Sequence, residues 1–159
     1  MKIAGTVALP FPIEQAYDLM QNPEMLAKAI PGCEALELTG DNEYSMKMKV
    51  ILASLSGAFD GKVRLTEPNR PGSFRMVVEG SGKIGFLKGD GILRLTATEK
   101  GTEVAYDGEA QIGGKMASVG NRMIDMTARM MIKRFFKKLS AQSGKDDAEE
   151  DEINSDPAA

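Results

Sequence analysis

The sequence predicts a single α+β domain in which a curved antiparallel sheet wraps around one long C-terminal helix, with two short helices after the first strand. Three patterns carry that expectation. Apolar and polar residues alternate with period two from Glu34 to Ile112, glycines recur inside those strands, and an unusually wide apolar arc runs from Lys115 to about Leu139. The chain has 159 residues, and its first 142 are enough to bury one core with room for an internal pocket.

Ile3, Val7 and Leu9, with Gly5 in phase, read as the first strand, closed by Pro10 and Pro12 at the entry to a helix over Ile13 to Met20. Asn22-Pro23 ends that helix and starts another, Glu24 to Ile30, which Pro31-Gly32 stops. The inward faces of the following strands are read from parity. They are Tyr44, Met46, Met48 and Val50; Phe59, Gly61, Val63 and Leu65; Phe74, Met76 and Val78; Leu93, Leu95 and Ala97; and Val104, Tyr106, Gly108, Ala110 and Ile112. Hairpin loops are expected at Gly40-Asp41-Asn42, at Pro68 to Gly72 and at Glu99 to Thr102. Glycines at 57, 61, 80, 82, 85, 89, 91 and 108 weaken a flat strand, so they mark bends or bulges that curl the sheet.

The stretch from Lys115 to Leu139 would make a helix roughly 37 Å long. Its apolar members, Met116, Val119, Gly120, Met123, Ile124, Met126, Thr127, Ala128, Met130, Met131 and Phe135, cover an arc of roughly 200° on a wheel, so the helix is expected to be gripped on more than one side. Beyond Ser143-Gly144 lies an acidic stretch with almost nothing to bury, expected to be disordered, which sets the domain at 1–142 and a tail at 143–159. Nineteen basic against sixteen acidic residues give the body a net +3. One lysine against seven acids gives the tail −6.

Composition excludes several chemistries. A modest positive body without aromatic residues among its basic stretches is a poor footprint for nucleic acid. The chain has no histidine and one cysteine, so it holds no intrachain disulfide, no histidine-dependent triad and no usual zinc, haem or iron-sulfur site. A reducing cytoplasm fits, and Cys33 reads as a small filler beside a Pro-Gly turn. The N-terminus alternates like a strand and lacks the apolar stretch of a signal peptide. No run approaches the roughly 20 apolar residues of a membrane-spanning helix, so membrane contact is expected only at the surface, on the cytoplasmic face. Gly80-Ser81-Gly82 and Gly89-Asp90-Gly91 open no helix and so make no phosphate loop. Carboxylate catalysis would rest on Glu79, Asp90, Asp107 or Glu109, but Glu79 and Glu109 have outward parity, and the protein is read as a non-enzyme.

Methionine is the more informative residue. Of 11, five (Met116, Met123, Met126, Met130, Met131) crowd the final helix, and Met46, Met48 and Met76 sit on inward strand positions. Such residues make either a soft core or a pocket wall that repacks around an apolar guest. The wide arc and the curled sheet favour the pocket. Its expected wall is Met48, Val50, Phe59, Met76, Val78, Leu93, Tyr106, Met123, Ile124 and Met130, with Tyr106 able to offer a hydrogen bond to a carbonyl. Ile132 and Phe136 fall in the polar arc of the helix beside Arg129, Lys133 and Lys137, a combination suited to a membrane surface or an acidic partner.

Several stretches carry a resemblance. They are Ile30-Pro31-Gly32-Cys33 after the two helices, Gly57-Ala58-Phe59-Asp60-Gly61 opening a strand, Gly85-Phe86-Leu87-Lys88-Gly89, Gly113 to Arg122 leading the last helix, and Phe135-Phe136 near its end. Through them the chain, over about residues 2 to 140, resembles the G-subunit family of carbon monoxide dehydrogenase. That family is a branch of the START-like helix-grip superfamily, which includes polyketide cyclases and lipid-transfer domains. The resemblance implies a helix-grip fold with an internal cavity and no tightly bound cofactor. It also implies an accessory role beside a molybdenum-containing dehydrogenase, bringing enzyme and membrane together with a quinone-like lipophilic ligand. Where some relatives carry an extended apolar anchor this chain carries acids, which fits transient contact through the helix end or the loops around Phe11, Pro31 or Phe86. Two other readings stay open: a ligand-free recruitment or maturation adaptor, and a cyclase-like enzyme using Tyr106 or an inward acid.

Overall fold

Asn22 shows how local chemistry sets the first half of the chain. In the computed structural model, which describes residues 1–142, its side chain caps the second helix by accepting from the N–H groups of Glu24 (2.8 Å) and Met25 (3.4 Å). Pro23 occupies the first helical turn, where its missing N–H costs nothing. The same residue ends α1 (Ile13–Gln21), so α1 and α2 (Pro23–Ala29) meet at a corner. They follow β1 (Lys2–Leu9). Gly32, at φ +79°, then turns the chain into the sheet, where its carbonyl accepts from the Lys49 N–H at 2.9 Å.

The sheet continues with β2 (Cys33–Gly40), β3 (Glu43–Leu52), β4 (Leu55–Asn69), β5 (Ser73–Gly82), β6 (Gly85–Thr98) and β7 (Gly101–Gly113). All pairs are antiparallel, and the spatial order is β1-β7-β6-β5-β4-β3-β2. Six strands thus form a meander, and β1 closes on the last of them, from Lys2 opposite Glu109 to Leu9 opposite Thr102. The three expected loops are present. Two further two-residue turns, Ala53-Ser54 and Lys83-Ile84, divide β3 from β4 and β5 from β6. Ala97, expected inward, is exposed because β5 begins only at Ser73, opposite Arg94, and leaves that corner uncovered.

The single long helix is corrected to two pieces. A 3-10 helix spans Gly114–Val119, Gly120 adopts φ +93°, and α3 runs from Asn121 to Ser140. The expectation of a disordered tail at 143–159 lies outside the described residues.

One end of the sheet is filled. Leu9, Phe11, Met20, Phe74 and Val104 are buried there, Tyr17 meets Phe74 edge-to-face at 5.5 Å, and the buried Thr102 hydroxyl donates to the Phe11 carbonyl at 2.7 Å. Arg70 ties α1 to the β4–β5 turn through two 2.8 Å bonds to Asp18, and that bonding holds the Asp18 carboxyl below the ordinary aspartate range. The other end is hollow.

Candidate functional site: an apolar chamber between sheet and helix

On β5, β6 and the end of β7, inward residues remain partly exposed although they face the helix, while Val50, Leu52 and Phe59 beside the β3–β4 turn are buried. Met76, Val78, Leu87, Ala110 and Ile112 are all half-buried, whereas their counterparts at the packed end are fully buried. The space they face is a cavity of about 390 Å³. Its walls come from Met48 and Val50 on β3, Phe59 and Val63 on β4, Met76 and Val78 on β5, Leu87 and Leu93 on β6, and Tyr106 and Ile112 on β7. Ile124, Thr127, Ala128, Met131, Ile132, Phe135 and Phe136 of α3 form the roof, and Met1, Ile3, Ile30 and Pro31 stand at the rim.

Inward glycines make the hollow. Gly61 faces Gly80 across β4 and β5, and Gly91 faces Gly108 across β6 and β7, with Gly89 beside Val78. The strands approach so closely that a Cβ at Gly61 would lie 2.7 Å from the Glu79 carbonyl oxygen, and one at Gly108 would lie 2.8 Å from that of Asp90. Missing side chains thus both permit the sharp curl and leave the volume open.

The chemistry of the wall is sparse. Among the described residues, its side-chain hydroxyls are those of Tyr106 and Thr127. The Tyr106 ring stacks on Phe136 with centroids 6.2 Å apart and planes at 19°, and Phe135 meets Phe136 edge-on at 5.1 Å. Gly5 makes room for the phenol, since a Cβ there would come within 2.5 Å of its oxygen. The four carboxylates considered for acid/base work have exposed side chains. Asp90 is held by Arg75 at 2.8 Å, Asp107 by Lys2 at 3.2 Å, and Glu109 lies 3.8 Å from the N-terminal amine. Cys33 is half-buried, and burial pushes its thiol up, away from the reactive thiolate. Among the described residues no group of three or more His, Cys, Asp or Glu side chains could hold a metal ion, and no helix is long and apolar enough to cross a membrane.

Eight residues singled out from the sequence come together around the chamber: Met48, Val50, Phe59, Met76, Val78, Leu93, Tyr106 and Ile124. Met123 and Met130 do not. They are 39% and 44% exposed on the far side of α3. Ile132 and Phe136 are corrected in the opposite sense, from the outer surface to the roof. The cause lies within α3: counting the exposed Met123, Met126 and Met130 as inward turns the apolar arc away from Ile132 and Phe136. Within α3 the inward stripe is Ile124, Thr127 and Ala128, Met131 and Ile132, Phe135 and Phe136, then Leu139, a plain i, i+3, i+4 series. Ala128, Met131 and Phe135, which the sequence reading places only in the wide apolar arc, belong to that series and line the roof. Arg129, Lys133 and Lys137 are exposed as expected, with Arg129 bonded to Asp125 at 2.9 Å. Of the loop candidates for membrane contact, Phe11 is 2% exposed and buried in the core, Pro31 is half-buried at the rim, and Phe86 is 43% exposed.

A family model for the G subunit of carbon monoxide dehydrogenase (CoxG) matches residues 5–144. The chain belongs to the CoxG family. A conserved protein from Geobacillus kaustophilus is similar to this CoxG-family chain at 30% identity and TM-score 0.84, covering 88% of this chain and 93% of that one. A protein from Chromobacterium violaceum shares the fold at 18% identity and TM-score 0.66, with 91% and 99% covered. A Mycobacterium smegmatis protein does so at 14% identity and TM-score 0.66, with 92% and 93% covered. No curated protein matches the chain significantly. The seven-stranded antiparallel sheet curved around a C-terminal helix is the helix-grip architecture, and the CoxG-family match takes in part of β1 and every element after it.

Proposed function

We propose that this CoxG-family chain is a non-catalytic accessory protein of a molybdenum-containing, carbon monoxide dehydrogenase-type enzyme. In this reading it carries a quinone-like lipophilic molecule in its chamber and links enzyme and membrane by transient surface contact. The carrying observation is the chamber itself. At about 24 cal/mol per Å³, a dry hollow of 390 Å³ would forgo at most on the order of 9 kcal/mol of packing, comparable to the whole stability of a typical domain. A space of that size is not a packing defect. Nor is it a good home for water, which needs two to four polar partners per molecule where this wall offers two hydroxyls. An apolar guest gains about 0.8 kcal/mol for each methylene it brings out of water, and Tyr106 or Thr127 can donate to a carbonyl at its head. Exposed Phe86 and Ile51 (67% exposed) beside the turns, and the basic outer side of α3, supply the surface for contact with a bilayer. The exposed side chains of Glu79, Asp90, Asp107 and Glu109 remove the acids from the cyclase alternative and leave it Tyr106, and the hollow speaks against an adaptor with a filled core.

Native mass spectrometry of protein purified without detergent, followed by organic extraction, tests the reading. A bound lipophilic molecule, or uptake of an added quinone at one per chain, is expected. Ala128→Trp fills the roof and should weaken uptake at least tenfold while the circular dichroism spectrum is kept, whereas Met123→Trp, on the outer side, should leave it unchanged. A protein that is empty and takes up no quinone would leave the recruitment adaptor as the better account.

A further inference from the structure

The outer face of α3 is the largest feature that the chamber does not use. Met123, Met126 and Met130 are exposed on it, and Arg122, Lys133 and Lys137 lie among and beyond them, with two further arginines at the flanks. Asp125, half-buried at its edge, is the acid of the helix and is bonded to one of those arginines. The face is therefore a strip of exposed cations, which attracts an anion through many weak contacts that salt screens.

The complementary charge lies in the same chain. Residues 143–159 carry seven carboxylates against one lysine, a net −6, and they start where α3 stops, the described chain ending at Gln142 two residues past Ser140. Seventeen residues reach at most roughly 60 Å. The helix is about 30 Å long. The segment spans the face without being stretched, and its tether holds it at an effective concentration in the millimolar range, ahead of most anions in solution.

We propose that the outer face of α3 is the docking surface for the chain's own acidic segment, residues 143–159. The contact is electrostatic, and any external anionic surface that uses this face must displace the segment first.

The test is a spin label on the full chain. Ser155→Cys carries the nitroxide in a Cys33→Ser background, and the methionine methyl signals are read by NMR. At about 10 mM salt, where the Debye length is roughly 30 Å, the Met123, Met126 and Met130 methyls should lose at least half their intensity relative to the reduced label, while Met20, at the packed end, loses less. At about 1 M salt, with a Debye length of roughly 3 Å, the loss should vanish. A second version with the seven carboxylates changed to amides keeps the tether and removes the charge, and it should show no loss at either salt. Equal attenuation in the amide version would mean that tethering alone brings the segment near, and would overturn the proposal. So would the absence of any loss in the native-charge protein at low salt.

Discussion

Gly61 and Gly80 face each other across β4 and β5, yet a methyl group would meet different surroundings at each. At Gly61 it would lie 2.7 Å from the Glu79 carbonyl oxygen, which belongs to the backbone and cannot swing aside. At Gly80 its nearest neighbour is Phe59 Cδ2 at 3.5 Å, an ordinary contact on the chamber side. Gly61→Ala should therefore cost about 1–3 kcal/mol by thermal unfolding. Gly80→Ala should cost less than about 1 kcal/mol and instead reduce the room available to a guest, visible as weaker uptake of bulky quinones than of slender ones. Equal destabilisation by the two would mean that Gly80 serves the curl of the sheet and not the volume of the chamber. Parity puts Gly61 inward beside Phe59 and Val63, and Gly80 reads from the sequence only as a bend or bulge. Which of them was close to the opposite backbone was not legible, since that depends on how tightly the strands coil.

At the scale of elements, the bend ahead of α3 is held by Gly120, whose φ of +93° and ψ of 153° suit glycine almost alone. Nothing lies within 4 Å of a Cβ built there, so an alanine would suffer from the backbone and not from a clash. Gly120→Ala is expected to lower stability by about 1–3 kcal/mol in denaturant titration, with any crowding effect absent. A change below about 0.3 kcal/mol would show that the bend relaxes freely into continuous helix. Strand faces were legible because a period of two permits only two phases, and one of them put Lys47, Lys49 and Asp60 in the core. Helical phase was not, because Met123, Met126 and Met130 are apolar yet tolerate water, so the wheel counted an outer stripe and an inner stripe as one arc. The Ala53-Ser54 turn escaped for a related reason. Ala53 takes φ +56° without the glycine or asparagine that usually announces it.

The whole molecule is divided lengthwise into a packed end, where α1 and Phe74 fill the trough, and a hollow end beneath Ile124 to Phe136. If the hollow end holds an alkyl chain, affinity should depend on its length in a simple way. Each added methylene is worth about 0.8 kcal/mol, or a factor of about four in Kd, until the chamber is full and the increments stop. Calorimetry with a series of alkylquinones that differ only in chain length reads this directly, and a flat series would show that the chain stays outside. The strand order bears on a different matter, the making of the protein. Strands β2 to β7 pair with their sequence neighbours, so the trough can zip up hairpin by hairpin, each within microseconds once its residues are free. Its roof is synthesised after all seven strands. At roughly 5–20 residues per second, the 20 residues of α3 take about 1–4 s to be translated, and for that interval the nascent sheet offers its methionine- and valine-lined interior to any apolar surface beside the ribosome.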